Sequence, residues 1–327
     1  MKNFDSIDLF RAMGVCFVLL YHSVYIFDFN GGIQTSPYIY LITALMWSGV
    51  NLFFLASGFI NGKQFLILNS TSSYAIRRVK RIFPLYYTYL LIGTLLFIYK
   101  FDFFYLNNYN ILQQYFFLSG VDFYNKGINH PLYFCITWSL SVEVQLYIIT
   151  FIIIRFGKKS SLKLCTFLML IGCVTPYFHA NHFGLLMHLD EYFLGVIIRY
   201  LYNKGNLSYK FTKLIFVTIL IISVFTIPYI DLNQGNPLLD SLLLIIYSCI
   251  LILLINFNFK IHYSILEIGK NCYFLYLFHM LFIYLFLEFF NDIGFPPIIS
   301  LSITFFICYI ASVLSKHTFE SKFYKIA

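Results

Sequence analysis

Long apolar runs broken by short polar stretches set the pattern of this chain. A helix that crosses a bilayer needs about 20 mostly apolar residues. Measured against that length, the sequence predicts ten spans, near 8–27, 38–60, 82–100, 133–154, 164–180, 186–203, 214–230, 238–257, 271–290 and 295–315. The run near 186–203 is the least apolar, because His188, Asp190 and Glu191 stand at its start. The stretch 101–132 is aromatic and asparagine-rich, and it reads as an external loop with short interfacial helices. No internal repeat is evident. The expected fold is all-α, a polytopic transmembrane bundle with residues 1–327 as one integral-membrane domain and no appended soluble domain.

Composition agrees with that pattern. Of the 327 residues, 60% are hydrophobic and 11% charged, less than half the roughly 25% charge of soluble domains. Aromatic residues make up 21%, which suits interfacial and lipid-facing positions. The first apolar run carries Asp8 and Arg11 at its start and has no small-residue cleavage site before Pro37, so it reads as a retained span and not a leader. None of the seven cysteines forms a CxxC pair, and nearly all fall inside apolar runs, as small buried hydrophobes do.

Charge then predicts the orientation. With the N-terminus inside and the spans alternating, all but Lys100 and Lys126 of the 22 basic residues fall in cytoplasmic segments or span ends. Asp28, Asp102, Asp122, Asp231, Asp240 and Asp292 fall outside. This is the positive-inside bias, and it places both termini in the cytoplasm. The net charge of +8 follows from topology. Its dispersal along one membrane face argues against a nucleic-acid partner.

Ionisable groups inside spans are costly and point to function. Arg11 and His22 are eleven residues apart on the first span. At about 100° per residue they share one helix face, separated by about 16 Å along the axis. The second span holds Asn51, Ser57 and Gly58, which either tighten helix packing or open a ligand site. Arg77, Arg78, Lys80 and Arg81 sit together before the third span. Such a cluster marks topology and anionic lipid contact, or holds phosphate through arginine forks. The fourth span reads Thr137-Trp138-Ser139-Leu140-Ser141-Val142-Glu143-Val144-Gln145. Glu143 stands near its middle, where a carboxylate needs a partner, and His22 is the candidate at similar depth. His279 falls at comparable depth in the ninth span. A His–Glu pair suits general-base chemistry on a hydroxyl. The chain has no HExxH, GxSxG or Gly-rich phosphate loop, and no metal is expected.

Taken in order, these stretches resemble the membrane acyltransferase-3 family, which includes many bacterial envelope O-acetyltransferases. The resemblance rests on Asp8-Leu9-Phe10-Arg11 through His22, on Gly49 to Phe59, on Arg78-Val79-Lys80-Arg81-Ile82-Phe83-Pro84 and on Thr137 to Glu143. Weaker echoes are Asp190 to Gly195 and Tyr273 to His279. The resemblance implies transfer of an acyl group, usually acetyl, from cytoplasmic acyl-CoA to a hydroxyl of an envelope glycan or lipid-linked sugar. It implies His22 as the essential histidine and Arg11, Arg78 and Arg81 as donor-binding residues, while the support of His22 by Glu143 comes from their shared depth. Asn51, Ser57, Trp138, Ser141 and His279 are the further candidates for the substrate pocket. Acyl-CoA would be a co-substrate, with no bound cofactor, and the location would be the bacterial cytoplasmic membrane. Three departures bear on subgroup and substrate. Asn51 stands where members often have aspartate, Val144 follows Glu143 where a second acid is common, and Glu320-Ser321-Lys322 lacks the frequent proline. Two rival readings use the same buried polar groups: a transporter or exporter of a small acylated or anionic molecule, and a membrane sensor or scaffold.

Overall fold

The computed structural model describes residues 5–29, 45–67, 71–101, 111–118, 134–156, 161–178, 184–207, 212–213, 217–218, 236–256 and 260–324. The described residues are overwhelmingly helical, with no strand among them. The principal helices are α1 (Asp5–Phe29), α2 (Gly49–Gly62), α3 (Thr71–Phe101), α4 (Thr137–Phe156) and α5 (Ser161–Val174). They continue with α6 (Leu189–Asn203), α7 (Pro237–Asn256), α8 (Tyr263–Lys270), α9 (Cys272–Phe282) and α10 (Pro297–Ser315).

Five segments among the described residues are long and apolar enough to cross a membrane: Asp5–Ser23, Ser72–Tyr99, Thr137–Phe156, Pro237–Asn256 and Ile298–Phe323. A sixth arises if Tyr263–Lys270 and Cys272–Phe286, bent by 74° to each other, are taken as one broken span. By length and apolarity, the described helices account for five or six of the ten predicted spans. α2 has 14 residues, about 21 Å at the α-helical rise, against a hydrocarbon core of about 30 Å. α6 has 15 residues. The ninth predicted run, 271–290, begins at the sharp turn at Asn271, where α8 is set at 74° to the helix that follows. The run near 214–230 lies almost wholly outside the described residues. So does the stretch 101–132, apart from a short helix at Ile111–Tyr115 and the residues just after it.

α1 packs against α2, α7, α8 and α9. Small residues allow these close crossings. A Cβ on Gly49 would stand 2.6 Å from the Gly14 carbonyl oxygen. α2 runs along α6, where Gly58 faces the Tyr192 carbonyl and Gly195 faces the Leu55 carbonyl so closely that neither position has room for a side chain. Many of the aromatics fill the interior as well as the outer surface. Tyr86 and Tyr192 are fully buried. Their hydroxyls find partners there, as buried tyrosines usually do: Tyr86 donates to the Gln114 carbonyl at 2.8 Å and Tyr192 pairs with Thr150 at 2.8 Å. The seven cysteines are free thiols.

Candidate functional site

A cavity of about 50 Å³ opens where α1, α2, α3, α4 and α9 converge. At roughly 10–15 Å³ per water, that is space for three or four small atoms or waters. Helical periodicity decides which side chains reach it. Val50, Phe53, Phe54 and Ser57 line it from α2 at the i, i+3, i+4, i+7 spacing of one helix face. α4 contributes Ser139, Leu140, Glu143 and Tyr147, and α1 and α3 contribute Arg11, Arg81 and Ile82. α9 contributes Cys272, Tyr273 and Tyr276. Because α9 begins at Cys272, its positive dipole end adds to the two guanidinium groups at the same cavity.

Glu143 is held on one oxygen. Its Oε1 accepts from Ser57 Oγ at 2.8 Å and from the Tyr147 hydroxyl, and the two hydroxyls lie 2.8 Å apart. Asn61 supports Ser57 from the next turn, donating to its carbonyl at 2.8 Å. The Arg78 guanidinium stacks 5.0 Å from the Tyr147 ring and 5.4 Å from the Tyr74 ring. Arg78 therefore backs the carboxylate's tyrosine and does not line the cavity that takes Arg11 and Arg81. Arg11 also lies 3.9 Å from Asp8, one turn earlier.

The expected contact between His22 and Glu143 is not formed. His22 instead meets His279, with His279 Nε2 and His22 Nδ1 3.2 Å apart and ring centroids at 5.0 Å. The reason is helix placement. α1 packs directly on α9, whereas Glu143 turns toward α2 and satisfies itself on Ser57 and on its own helix. Backbone carbonyls only accept, so proton positions follow. His279 Nδ1 lies 2.7 Å from the Tyr276 carbonyl and must carry a hydrogen. Its neutral ring then presents a lone pair at Nε2. His22 Nδ1 lies 3.0 Å from the Val18 carbonyl and must also carry a hydrogen, shared with His279 in a bifurcated bond. His22 Nε2 is left with its lone pair. The pair sits one residue from the cavity, through Tyr276, whose hydroxyl is 2.6 Å from Ser139 Oγ.

The remaining sequence candidates lie elsewhere. Trp138 tilts against the His188 ring, centroids 5.4 Å apart. Ser141 donates to the Thr137 carbonyl at 3.1 Å. Asn51 is buried on α2 outside the cavity wall. Sequence reading passed over Tyr147, Cys272, Tyr273 and Tyr276. Tyr147 was reachable, because it stands four residues after Glu143 and so shares its face. The α9 residues were signalled by Gly269-Lys270-Asn271, a break followed by a capping residue. Among the described residues no group of three His, Cys, Asp or Glu side chains is arranged to hold a metal.

A family model described as an acyltransferase domain, that of the acyltransferase-3 family, matches residues 4–316. No curated protein and no solved structure matches the chain. A bundle of apolar helices enclosing a cationic cavity beside a histidine pair, together with a match over essentially the whole sequence, leads to one conclusion: the chain is an integral membrane protein that belongs to the acyltransferase-3 family.

Proposed function

We propose that the protein transfers a short acyl group, acetyl being the natural candidate, from cytoplasmic acyl-CoA to a hydroxyl of an envelope glycan or lipid-linked sugar in the bacterial cytoplasmic membrane. The observation that carries this reading is the cavity bounded by Arg11, Arg81 and Glu143 next to the His22–His279 pair. Two arginines and a helix N-terminus suit the phosphates of coenzyme A. The basic residues gathered on one side support donor approach from the cytoplasm. The same bias supports cytoplasmic termini and the full set of ten membrane-crossing or re-entrant segments, the shorter α2, α5 and α6 among them.

In this mechanism His22 Nε2 takes the proton of the acceptor hydroxyl as the oxygen attacks the thioester carbonyl. The carbon–sulfur bond breaks, the ester forms, and the proton on His22 passes to the departing thiolate. Arg11 and Arg81 hold the donor. Glu143, fixed by Ser57 and Tyr147, balances their charge and orders the wall. The test is acetyl-CoA turnover by the purified protein reconstituted with native membrane lipid extract. His22→Ala should lower turnover by about 100-fold or more, the scale of a lost general base. Unchanged turnover would remove the mechanism.

The transport reading has one observation in its favour, the broken span at Asn271, since interrupted helices often frame transported substrates. It predicts flux of a small acylated anion without ester formation. The break is the one bent pair of its kind among the described residues, so the paired interruptions expected of an inverted repeat are not in evidence there.

A further inference from the structure

We infer that His279 is the positioning residue for the base: its Nε2 lone pair accepts the Nδ1 hydrogen of His22 and so aims the free Nε2 of His22 at the reacting hydroxyl. The inference rests on His22 acting as base. It goes beyond that reading by giving His22 a different supporting group from the carboxylate that sequence alone pointed to.

The geometry supplies a directed chain. His279 is fully buried, and its Nδ1 hydrogen is taken by the Tyr276 carbonyl at 2.7 Å, with the Leu275 carbonyl at 3.2 Å. That fixes its neutral tautomer and leaves Nε2 able only to accept. Among the described residues, the partner within reach of Nε2 is His22 Nδ1, at 3.2 Å. A histidine base in a catalytic triad is oriented in the same way, by an acceptor on the nitrogen that does not react. The second histidine here differs from a carboxylate in carrying no charge. When His22 takes the proton, its Nδ1–H becomes a charge-assisted donor to His279, and such a bond is stronger than the neutral one. The gain appears as the proton moves, so it acts on the transition state more than on substrate binding. Tyr276 ties this chain to the cavity, because it lines the cavity wall and its carbonyl anchors His279. The Val18 carbonyl, on α1 itself, also accepts from His22 Nδ1. It can hold the tautomer, but among the described residues His279 is the one that reaches the ring from a second helix and limits its rotation.

The experiment uses the full chain in nanodiscs with native membrane lipid extract and acetyl-CoA as donor. His279→Leu, close in volume and without a hydrogen-bonding group, should lower kcat by about 10- to 100-fold with the donor KM within about twofold, the pattern of an interaction made in the transition state. His279→Gln, whose carboxamide oxygen can accept near the former Nε2, should recover a large part of that loss. Loss of folded protein in both variants is separated from loss of function by the second measurement. In ¹⁵N-histidine spectra of the wild-type protein in bilayers, a coupling across the hydrogen bond should link the side-chain nitrogens of His22 and His279. Wild-type kcat in His279→Leu overturns the inference, and so does a Gln variant no better than Leu, or absence of the coupling. If His22→Ala also keeps full activity, the base reading falls with it. If His22→Ala is inactive while His279→Leu is not, only the positioning role is lost.

Discussion

At the scale of single residues, the four arginine and glutamate candidates separate by environment. Arg11 and Arg81 line the cavity, whereas Arg78 lies across two tyrosine rings. Their substitutions should therefore differ. Arg81→Ala should raise the KM for acetyl-CoA by about 10-fold or more, the worth of one charge-assisted hydrogen bond, and leave folding nearly intact. Arg78→Ala should leave the donor KM within about twofold and lower thermal stability, because the loss is of cation–π contact and packing. Equal KM effects in steady-state kinetics would refute the distinction. Glu143 shows the same logic. An unsatisfied buried carboxylate is costly, so it recruits the nearest hydroxyls, and those sit on α2 and one turn along α4.

At the scale of elements, the close approach of α2 and α6 decides where the cavity wall stands. Gly58 and Gly195 bring the two backbones into contact, and that positions the Val50, Phe53, Phe54 and Ser57 face of α2 toward the cavity. Gly195→Val meets the Leu55 carbonyl, a backbone atom that cannot rotate aside. The expected cost is about 3 kcal/mol or more. It should appear as loss of the monodisperse peak in detergent chromatography, or as a lower melting temperature. A variant as stable as the parent would mean the helices do not touch there. The kink between α8 and α9 matters for the same reason. It lets α9 begin at the cavity, with Cys272 and Tyr273 on its wall, where an unbroken helix would carry its amide end away.

At the scale of the whole molecule, charge asymmetry sets a testable orientation. Lys204 follows α6 and is exposed, and the proposed orientation puts it on the cytoplasmic side. In a background lacking the native cysteines, Lys204→Cys should react with a membrane-impermeant maleimide in inverted vesicles and not in intact spheroplasts. The opposite result would invert the topology and with it the side from which the donor is drawn.

Much of this protein was readable from its sequence. Hydropathy marks a membrane bundle because a bilayer solvates no bare backbone, so each crossing must be a long apolar helix. Helical periodicity puts Arg11 and His22 on one face of α1 and Glu143 and Tyr147 on one face of α4, since those relations depend only on the turn per residue. Partners across helices are a different matter. Whether His22 meets Glu143 or His279, whether Arg78 or Arg81 reaches the cavity, and how α8 is angled onto α9 all depend on how helices cross. Crossing is decided by small residues and side-chain fit between segments far apart in the chain. Depth along the membrane normal, which residue counting gives, fixes one coordinate of a side chain. The other two belong to packing, and there the tertiary structure chose a histidine for the histidine.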